Sequence, residues 1–495
     1  MFKKLLLSTA ISLSLAGSAL ACTTLLVDRA ATADGSFLIA RSADSSALKA
    51  QHFVIHPAVK NQKGMHRSAD HQGANKFEYP LPETGMRYTT VPNWKTQLHG
   101  AVGWNEAGVG LSGTETIYAS DAILKFDPYV EETGITEDDI PDVILPRAKT
   151  AREGVALLGK IVEEKGAGEG FGVVFVDANE LWYFETGTGH QWLAQRIPHA
   201  QYFATGNQGR LQAYEEGNPN FMASKTLVSF AREHGFYKPE EGAFNFAKAY
   251  TRDDERDRVY NDPRVWQIQR MLNPSTKQDI AAGRSFPVFM TPEHKVTLED
   301  MKASMRNHYQ GEAFDPYAKA LGTDSPYRPI SVFRTYESHV MQIRTELPKS
   351  IGEVTYLAMG MSALSCYVPF YSGLSKVPEE YQQGTDHADN TSAYWKYRKL
   401  QTLVMTDYTN LAPIVQKAYA AWEKDAAEKM KVFEADYLKV LKTNPKAAQE
   451  KLDAFNIGLI RSAEALTDQL TNDVFTARTA SVQKSFFFGN RNKKD

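Results

Sequence analysis

The distribution of apolar residues divides the chain into a leader, a strand-rich segment and a helical C-terminal segment. Short apolar runs flank the turn-forming residues 34–35, and two more flank residues 177–179; both arrangements are typical of β-hairpins. Near the C-terminus, apolar residues recur at intervals of three and four, which predicts two or three helices. We therefore expect a mixed α+β fold in which C-terminal helices pack on a sheet-rich domain.

A change in composition marks the predicted domain boundary. Residues 381–395 are polar and poor in aliphatic side chains, so we predict one domain over residues 22–385 and a helical extension over residues 386–495. Within the extension, Asn444-Pro445 predicts a break, because proline is favoured in the first turn of a helix.

Residues 1–21 have the pattern of a secretory signal peptide. Two lysines (residues 3–4) precede an apolar run (residues 5–15), and small residues occupy the two positions within residues 19–21 that signal peptidase reads. A membrane-spanning helix needs about 20 apolar residues, and neither this run nor a later one reaches that length. We expect an exported protein, periplasmic or secreted from a bacterium, without a membrane span.

Composition narrows the possible partners. Hydrophobic residues make up 42% and charged residues 23% of the chain, which is ordinary for a protein with a large core. The net charge of −3 and the lack of a basic stretch argue against a nucleic-acid partner. The sequence has no HExxH, CxxC or phosphate-binding loop motif, so we expect neither a metal nor another cofactor. A homo-oligomer remains open.

The role of Cys22, one of two cysteines, has four candidate interpretations: a lipid anchor, half of a disulfide, a buried filler, or the first residue of the exported protein. A lipoprotein signal has a large aliphatic residue three positions before the cysteine. Here Ala19 holds that position and Leu20 follows it, an order that suits ordinary signal peptidase. The second cysteine, Cys366, lies among apolar and aromatic residues, where a free cysteine behaves as a small hydrophobe.

Cleavage after Ala21 would give Cys22 a free α-amine beside its own thiol. An α-amine has a pKa of about 7.7–8, so near neutral pH it can accept the thiol proton. The hairpin predicted at residues 34–35 would also return Arg41 and Asp44 toward Cys22. An arginine there would stabilise a thiolate, and an acid would hold the ammonium group; the alternative is a surface pair at a strand end.

Several motifs, taken together, resemble the dipeptidase A family of N-terminal-nucleophile (Ntn) peptidases, relatives of penicillin V acylase and choloylglycine hydrolase. The opening motif is Cys22-Thr-Thr-Leu-Leu-Val, then Asp34-Gly-Ser, then Ala40-Arg41-x-x-Asp44-Ser45. Further matches follow in the family's order, up to about residue 380, at residues 103–119, 171–198, 202–211 and 260–275. The resemblance implies an αββα sandwich of two mainly antiparallel sheets.

The resemblance also implies roles for individual residues. Cys22 would be the nucleophile, with its α-amine as general base and later as acid. Arg41 would lie against the thiolate, and Asp44 would hold the α-amine or orient the substrate. Asn207 falls where the acylases place an oxyanion-hole asparagine, and Arg264 where they have a further active-site arginine.

The chain departs from the acylases near the end of the motif in residues 103–119. After the NE-G-G-G stretch the acylases have another asparagine, whereas this chain has Gly113-Thr-Glu-Thr, which leaves the second oxyanion donor unassigned. Glu115 would instead bind the free ammonium group of a peptide substrate; the alternative is a purely structural glutamate.

These observations predict an exported cysteine dipeptidase that acts on dipeptide substrates. Two alternatives stay open: an N-acyl amide hydrolase for penicillin V, conjugated bile salts or acyl-homoserine lactones, and a lipid-anchored surface protein without catalytic activity. The sequence does not specify the preferred dipeptides, the oligomeric state, or whether the leader is removed by signal peptidase or by autoproteolysis.

Overall fold

The computed structural model describes residues 22–68, 75–97, 100–318 and 325–486; the predicted leader, residues 1–21, lies outside this part. The strands are β1 (Thr23–Val27), β2 (Phe37–Asp44), β3 (Val54–His56), β4 (Met65–Arg67), β5 (Glu78–Pro80), β6 (Tyr88–Thr90), β7 (Val102–Trp104), β8 (Gly110–Thr116), β9 (Phe171–Val176), β10 (Leu181–Thr186), β11 (Trp192–Arg196), β12 (Tyr202–Thr205), β13 (Phe221–Ala223), β14 (Phe289–Met290), β15 (Thr335–Ile343), β16 (Glu353–Met359) and β17 (Val368–Tyr371).

The α-helices lie between these strands and after them. They are α1 (Asp121–Leu124), α2 (Ile140–Ile144), α3 (Ala151–Lys165), α4 (Leu227–Glu233), α5 (Phe246–Tyr250), α6 (Glu255–Tyr260), α7 (Asp262–Leu272), α8 (Leu298–Arg306), α9 (Lys349–Gly352), α10 (Ala393–Met405), α11 (Tyr408–Thr443) and α12 (Pro445–Ser485).

Two large antiparallel sheets form the centre of the molecule. The seven-stranded sheet has the order β14-β12-β1-β2-β15-β16-β17, and the six-stranded sheet has the order β13-β11-β10-β9-β8-β7. Both predicted hairpins are confirmed: β1 pairs with β2 around residues 34–35, and β9 pairs with β10 around residues 177–179.

The alternation of side chains along the strands explains how the sheets stack. In β9, Val174 and Val176 join the core shared with the seven-stranded sheet, whereas Val173 and Phe175 join a second core with α2 and α3. The Trp104 indole donates to Thr355 Oγ1 across the two sheets at 2.9 Å. With α8, α10 and α12 on the outer face of the seven-stranded sheet, the order of layers is αββα. The predicted α+β sandwich is confirmed.

The C-terminal helices pack against the sheet domain and share its core. Gln401 of α10 donates to the Met359 carbonyl at 2.9 Å, and Asn456 of α12 donates to the Pro369 carbonyl at 2.6 Å. Asn444 caps α12 by accepting from the Ala447 amide, as the predicted break requires. The boundary between residues 385 and 386 stays a prediction, since no gap in packing separates the two parts.

Along the described residues, none of the helices combines the length and apolar character needed to cross a membrane.

A pair of helical glycines tests this packing. Gly159 of α3 is buried, and a Cβ there would lie 2.1 Å from Cζ2 of Trp192, so Gly159→Ala should destabilise the protein by about 1–3 kcal/mol through overpacking. Gly458 of α12 is exposed, and a Cβ there would meet no described atom within 4 Å. Gly458→Ala should therefore stabilise the protein by about 0.5–1 kcal/mol. Urea unfolding followed by circular dichroism measures both changes, and shifts of the same sign would contradict the packing.

Candidate active site

The sulphur of Cys22 lies between the two sheets, next to a buried guanidinium group. Arg41 of β2 lies opposite Thr24 of β1 in the strand register, which places its side chain on the same face as Cys22. Arg41 Nη2 is 3.0 Å from Cys22 Sγ, and Nη1 donates to the Gly113 carbonyl of β8 in the other sheet. Cys22 is 3% exposed and Arg41 is fully buried. A positive charge at this distance stabilises a thiolate.

Asp44, the last residue of β2, is buried in a polar pocket next to this pair. Its carboxylate accepts from Arg328 Nη2, from the Thr335 hydroxyl and, at 3.1 Å, from the Ser42 hydroxyl. Burial opposes the charge on Arg328, but Asp44, then Tyr260 and, more weakly, Cys22 outweigh it, so the pKa of Arg328 is raised. Asp44 therefore belongs to a charged group that reaches the neighbourhood of Cys22.

Arg264 of α7 ties the first residues of β1 to the opposite side of the site. Its Nη1 donates to the Cys22 carbonyl and, at 2.8 Å, to Thr23 Oγ1, while Nη2 donates to Asn207 Oδ1 at 2.9 Å and to Asn261 Oδ1. Burial and then the neighbouring charge of Arg328 lower the pKa of Arg264 to about 9. The guanidinium is still charged at neutral pH.

These contacts determine how the Asn207 amide is oriented. Because Asn207 Oδ1 accepts from Arg264, its NH2 group is turned away and serves as the donor. Asn261 holds the backbone of Asn207 from both sides: Asn261 Oδ1 accepts from the Asn207 amide and Nδ2 donates to the Asn207 carbonyl, each at 3.0 Å. A donor held in this way is what an oxyanion hole requires.

The residue before Asn207 must be small. A Cβ at Gly206 would lie 2.7 Å from Arg264 Nη2 and 2.9 Å from its Cζ. The guanidinium therefore packs directly on the backbone of this turn, and glycine permits the approach.

A buried polar chain lies beside Arg41 and was not expected from the sequence. His339 of β15 is directly opposite Arg41, with Nδ1 3.0 Å from Glu337 Oε2 and Nε2 2.8 Å from Ser112 Oγ. Because a carboxylate only accepts, Nδ1 carries a proton. The three side chains are at most 1% exposed, and the chain joins β15 to β8 in the interior.

The second cysteine has a different environment. Both cysteines are free, so the alternative of a Cys22–Cys366 disulfide does not apply to this structure. Cys366 lies 3.7 Å from the Tyr397 hydroxyl, and burial, followed by the negative Glu423, raises its pKa to about 12. Cys366 is thus a protonated, buried side chain, as its apolar surroundings predicted.

Five of the six predicted site residues meet in one region: Cys22, Arg41, Asp44, Asn207 and Arg264. The sixth, Glu115, belongs to β8, and only its backbone is placed, opposite Gly172 of β9. Its side chain lies outside the described part of the chain. Across the described ranges, no group of three His, Cys, Asp or Glu side chains is arranged to hold a metal ion.

The sequence interpretation missed Thr23, Asn261 and Arg328. Asn261 could have been found, because it lies three residues before Arg264 within a motif already singled out. Arg328 carries no comparable signal, because it lies in an irregular segment far from Asp44 in sequence.

Comparison with known proteins identifies relatives of the whole sheet domain. The model of the family described as "Peptidase family C69" matches residues 21–421. A "Probable dipeptidase" of Salmonella dublin is 51% identical over 383 residues, covering 77% of this chain and 86% of the relative. A "Probable dipeptidase" of Latilactobacillus sakei is 35% identical (82% and 86% covered), and a "Dipeptidase" of Bifidobacterium longum is 34% identical (78% and 77% covered).

Among solved structures, penicillin V acylase from Agrobacterium tumefaciens matches with a TM-score of 0.30 and 12% identity, over 68% of this chain and 83% of that one. The family assignment rests instead on the sequence matches, which confirm the resemblance inferred from the motifs. The chain belongs to peptidase family C69.

Proposed function

We propose that this chain is an exported cysteine dipeptidase whose nucleophile is Cys22 after removal of residues 1–21. One observation carries the proposal: the Arg41 guanidinium lies 3.0 Å from the sulphur of the residue that follows a signal-peptidase pattern. The curated relatives that match most of the chain are named as dipeptidases, which supports dipeptides as substrates.

The reaction begins when leader removal frees the α-amine of Cys22. The amine takes the thiol proton, and the thiolate, stabilised by Arg41, attacks the carbonyl carbon of the peptide bond. A carbon–sulphur bond forms and the carbonyl oxygen becomes an oxyanion, which accepts hydrogen bonds from the Asn207 side-chain amide and from backbone N–H groups.

Collapse of this intermediate breaks the carbon–nitrogen bond, and the Cys22 ammonium gives its proton to the departing amino acid. The α-amine then removes a proton from water, which attacks the thioester and releases the first amino acid and the thiolate. Asp44, held by Arg328, orients the α-amine through both half-reactions, and Arg264 keeps the Cys22 backbone and the Asn207 amide in place. Glu115 binds the free ammonium group of the substrate.

The choice between a dipeptidase and an N-acyl amide hydrolase depends on the substrate's free ammonium group. We expect the mature protein to hydrolyse Ala-Ala and to hydrolyse N-acetyl-Ala-Ala at least about tenfold less efficiently, since an acetylated amine cannot form a charge-assisted bond to a carboxylate. Mass spectrometry of the products of both substrates in parallel tests this, because cleavage of the peptide bond releases alanine and removal of the acetyl group releases acetate. Cleavage of the blocked substrate alone, with release of acetate, would identify an N-acyl amide hydrolase.

The two cysteines provide a matched pair of variants. Cys22→Ala should abolish turnover because the nucleophile is lost, whereas Cys366→Ala should keep it, because Cys366 is buried away from the site. N-terminal sequencing and mass spectrometry of the exported wild-type protein should give a chain that begins at Cys22 with an unmodified amine. An acylated Cys22 would indicate a lipid anchor and contradict the mechanism, as would hydrolysis by a chain that begins elsewhere.

Replacing the proposed oxyanion donor should reduce the rate of the chemical step. Asn207→Ala should lower kcat by about 10²–10³-fold, as loss of one such donor typically does, with a smaller effect on KM. Asn218→Ala, at a partly exposed loop asparagine whose side chain donates to Glu215, is the control and should leave both constants unchanged. Turnover of Asn207→Ala close to that of the wild type would remove Asn207 from the mechanism.

A further inference from the structure

Four arginines surround the side chain of Tyr260, at the end of α6. The guanidinium carbons of Arg264, Arg328 and Arg256 lie 5.3, 5.1 and 5.4 Å from the centre of the tyrosine ring, and Arg334 Nη2 donates to the tyrosine hydroxyl. We call Tyr260 and these four residues the arginine cluster. The proposed mechanism gives no role to Tyr260, Arg256 or Arg334.

The arginine cluster adjoins the reacting residues. Arg264 donates to the Cys22 carbonyl, and Arg328 donates to the Asp44 carboxylate. The backbone of Arg334 is held at the same place, because its carbonyl accepts from the Ser45 amide at 3.3 Å. Arg264 and Arg328 are buried, whereas Tyr260 and Arg334 are partly exposed. Arg256 is exposed, so the end of the cluster that faces solvent is formed by Tyr260, Arg334 and Arg256.

The buried arginines of the cluster are only partly paired with carboxylates. Asp44 neutralises Arg328, but the described acceptors of Arg264 are carbonyl, amide and hydroxyl oxygens without charge. The nearby carboxylates Asp257 and Asp262 form ion pairs outside the cluster, with Arg252 and Arg258. Like charges this close repel one another, so an anion bound at the open end stabilises the arrangement.

The chemistry of a dipeptide provides such an anion at the required place. In a dipeptide, only one Cα separates the scissile nitrogen from the free carboxylate. The proposed mechanism puts the scissile nitrogen beside the α-amine of Cys22, on the side of Asp44 and Arg328. The carboxylate of the departing residue then lies next to the arginine cluster, and arginine is well suited to bind a carboxylate through two hydrogen bonds.

We propose that Arg334, together with the Tyr260 hydroxyl, binds the free C-terminal carboxylate of the substrate and thereby selects peptides with a single residue after the scissile bond. The inference rests on the proposed dipeptidase function and names the group that limits the departing product to a single residue. A peptide with two or more residues after the scissile bond has a neutral amide at this position and loses the interaction.

The test compares Ala-Ala with Ala-Ala amide, in which only the carboxylate charge is removed. The wild type should prefer the free acid by at least about tenfold in kcat/KM, the effect of a hydrogen bond between charged groups. Arg334→Gln should lower kcat/KM for the acid about 10- to 100-fold, mainly through KM, and change the amide less than about twofold. Arg334→Lys should recover part of the loss, since it restores the charge without the planar fork.

Arg270→Gln is the control, because Arg270 is likewise an arginine beside an aromatic residue, with its guanidinium carbon 4.9 Å from the centre of the Trp266 ring, but it pairs with Glu312 on the surface. It should leave both substrates unaffected. Equal losses on acid and amide in Arg334→Gln would assign Arg334 a structural role and overturn the inference. Equal use of both substrates by the wild type would overturn it while leaving the dipeptidase intact. If neither substrate is hydrolysed, the proposed function fails and the inference fails with it.

Discussion

The contact between Arg41 and Cys22 connects the fold to the chemistry. A fully buried guanidinium is costly unless other groups compensate its charge, and Arg41 has the Gly113 carbonyl and the Cys22 sulphur as partners. A thiolate at Cys22 adds a compensating negative charge that a neutral thiol lacks. The contact with Arg41 therefore supports the reactive form proposed for this cysteine. The two partners come from different sheets, so the arrangement exists only when both sheets are stacked.

Arg264 is a second buried guanidinium group, and it organises the side of the site where the oxyanion is proposed to bind. It joins the first residues of β1, the turn after β12 and the start of α7, which are far apart in sequence. Gly206 lets the guanidinium approach the backbone, and Asn261 holds the main chain of Asn207. Cys22 and the proposed oxyanion donor, Asn207, are thus held by the same buried side chain, that of Arg264. Their separation is set by a buried charge and not by a flexible loop.

Features that depend on neighbouring residues could be predicted from the sequence, whereas features that depend on the packing of distant segments could not. The β1–β2 hairpin is local: residues 28–36 connect the two strands, and the register that pairs Val27 with Leu38 brings Arg41 beside Cys22. Asn207 and Arg264 were found only through the family resemblance, because their positions depend on how distant segments pack. Arg328 was missed for the same reason, since no local pattern marks a residue that pairs with Asp44 across 284 positions.

The two cysteines show that the surroundings, more than the residue type, determine the chemistry of a buried thiol. Both side chains are almost completely buried, and desolvation alone disfavours a thiolate at either position. Around Cys366 the nearby carboxylate of Glu423 adds to desolvation and the thiol stays protonated. Around Cys22 a guanidinium opposes desolvation at 3.0 Å. At similar burial, the nearest charge is therefore negative at Cys366 and positive at Cys22, and this difference in sign supports the role proposed for Cys22.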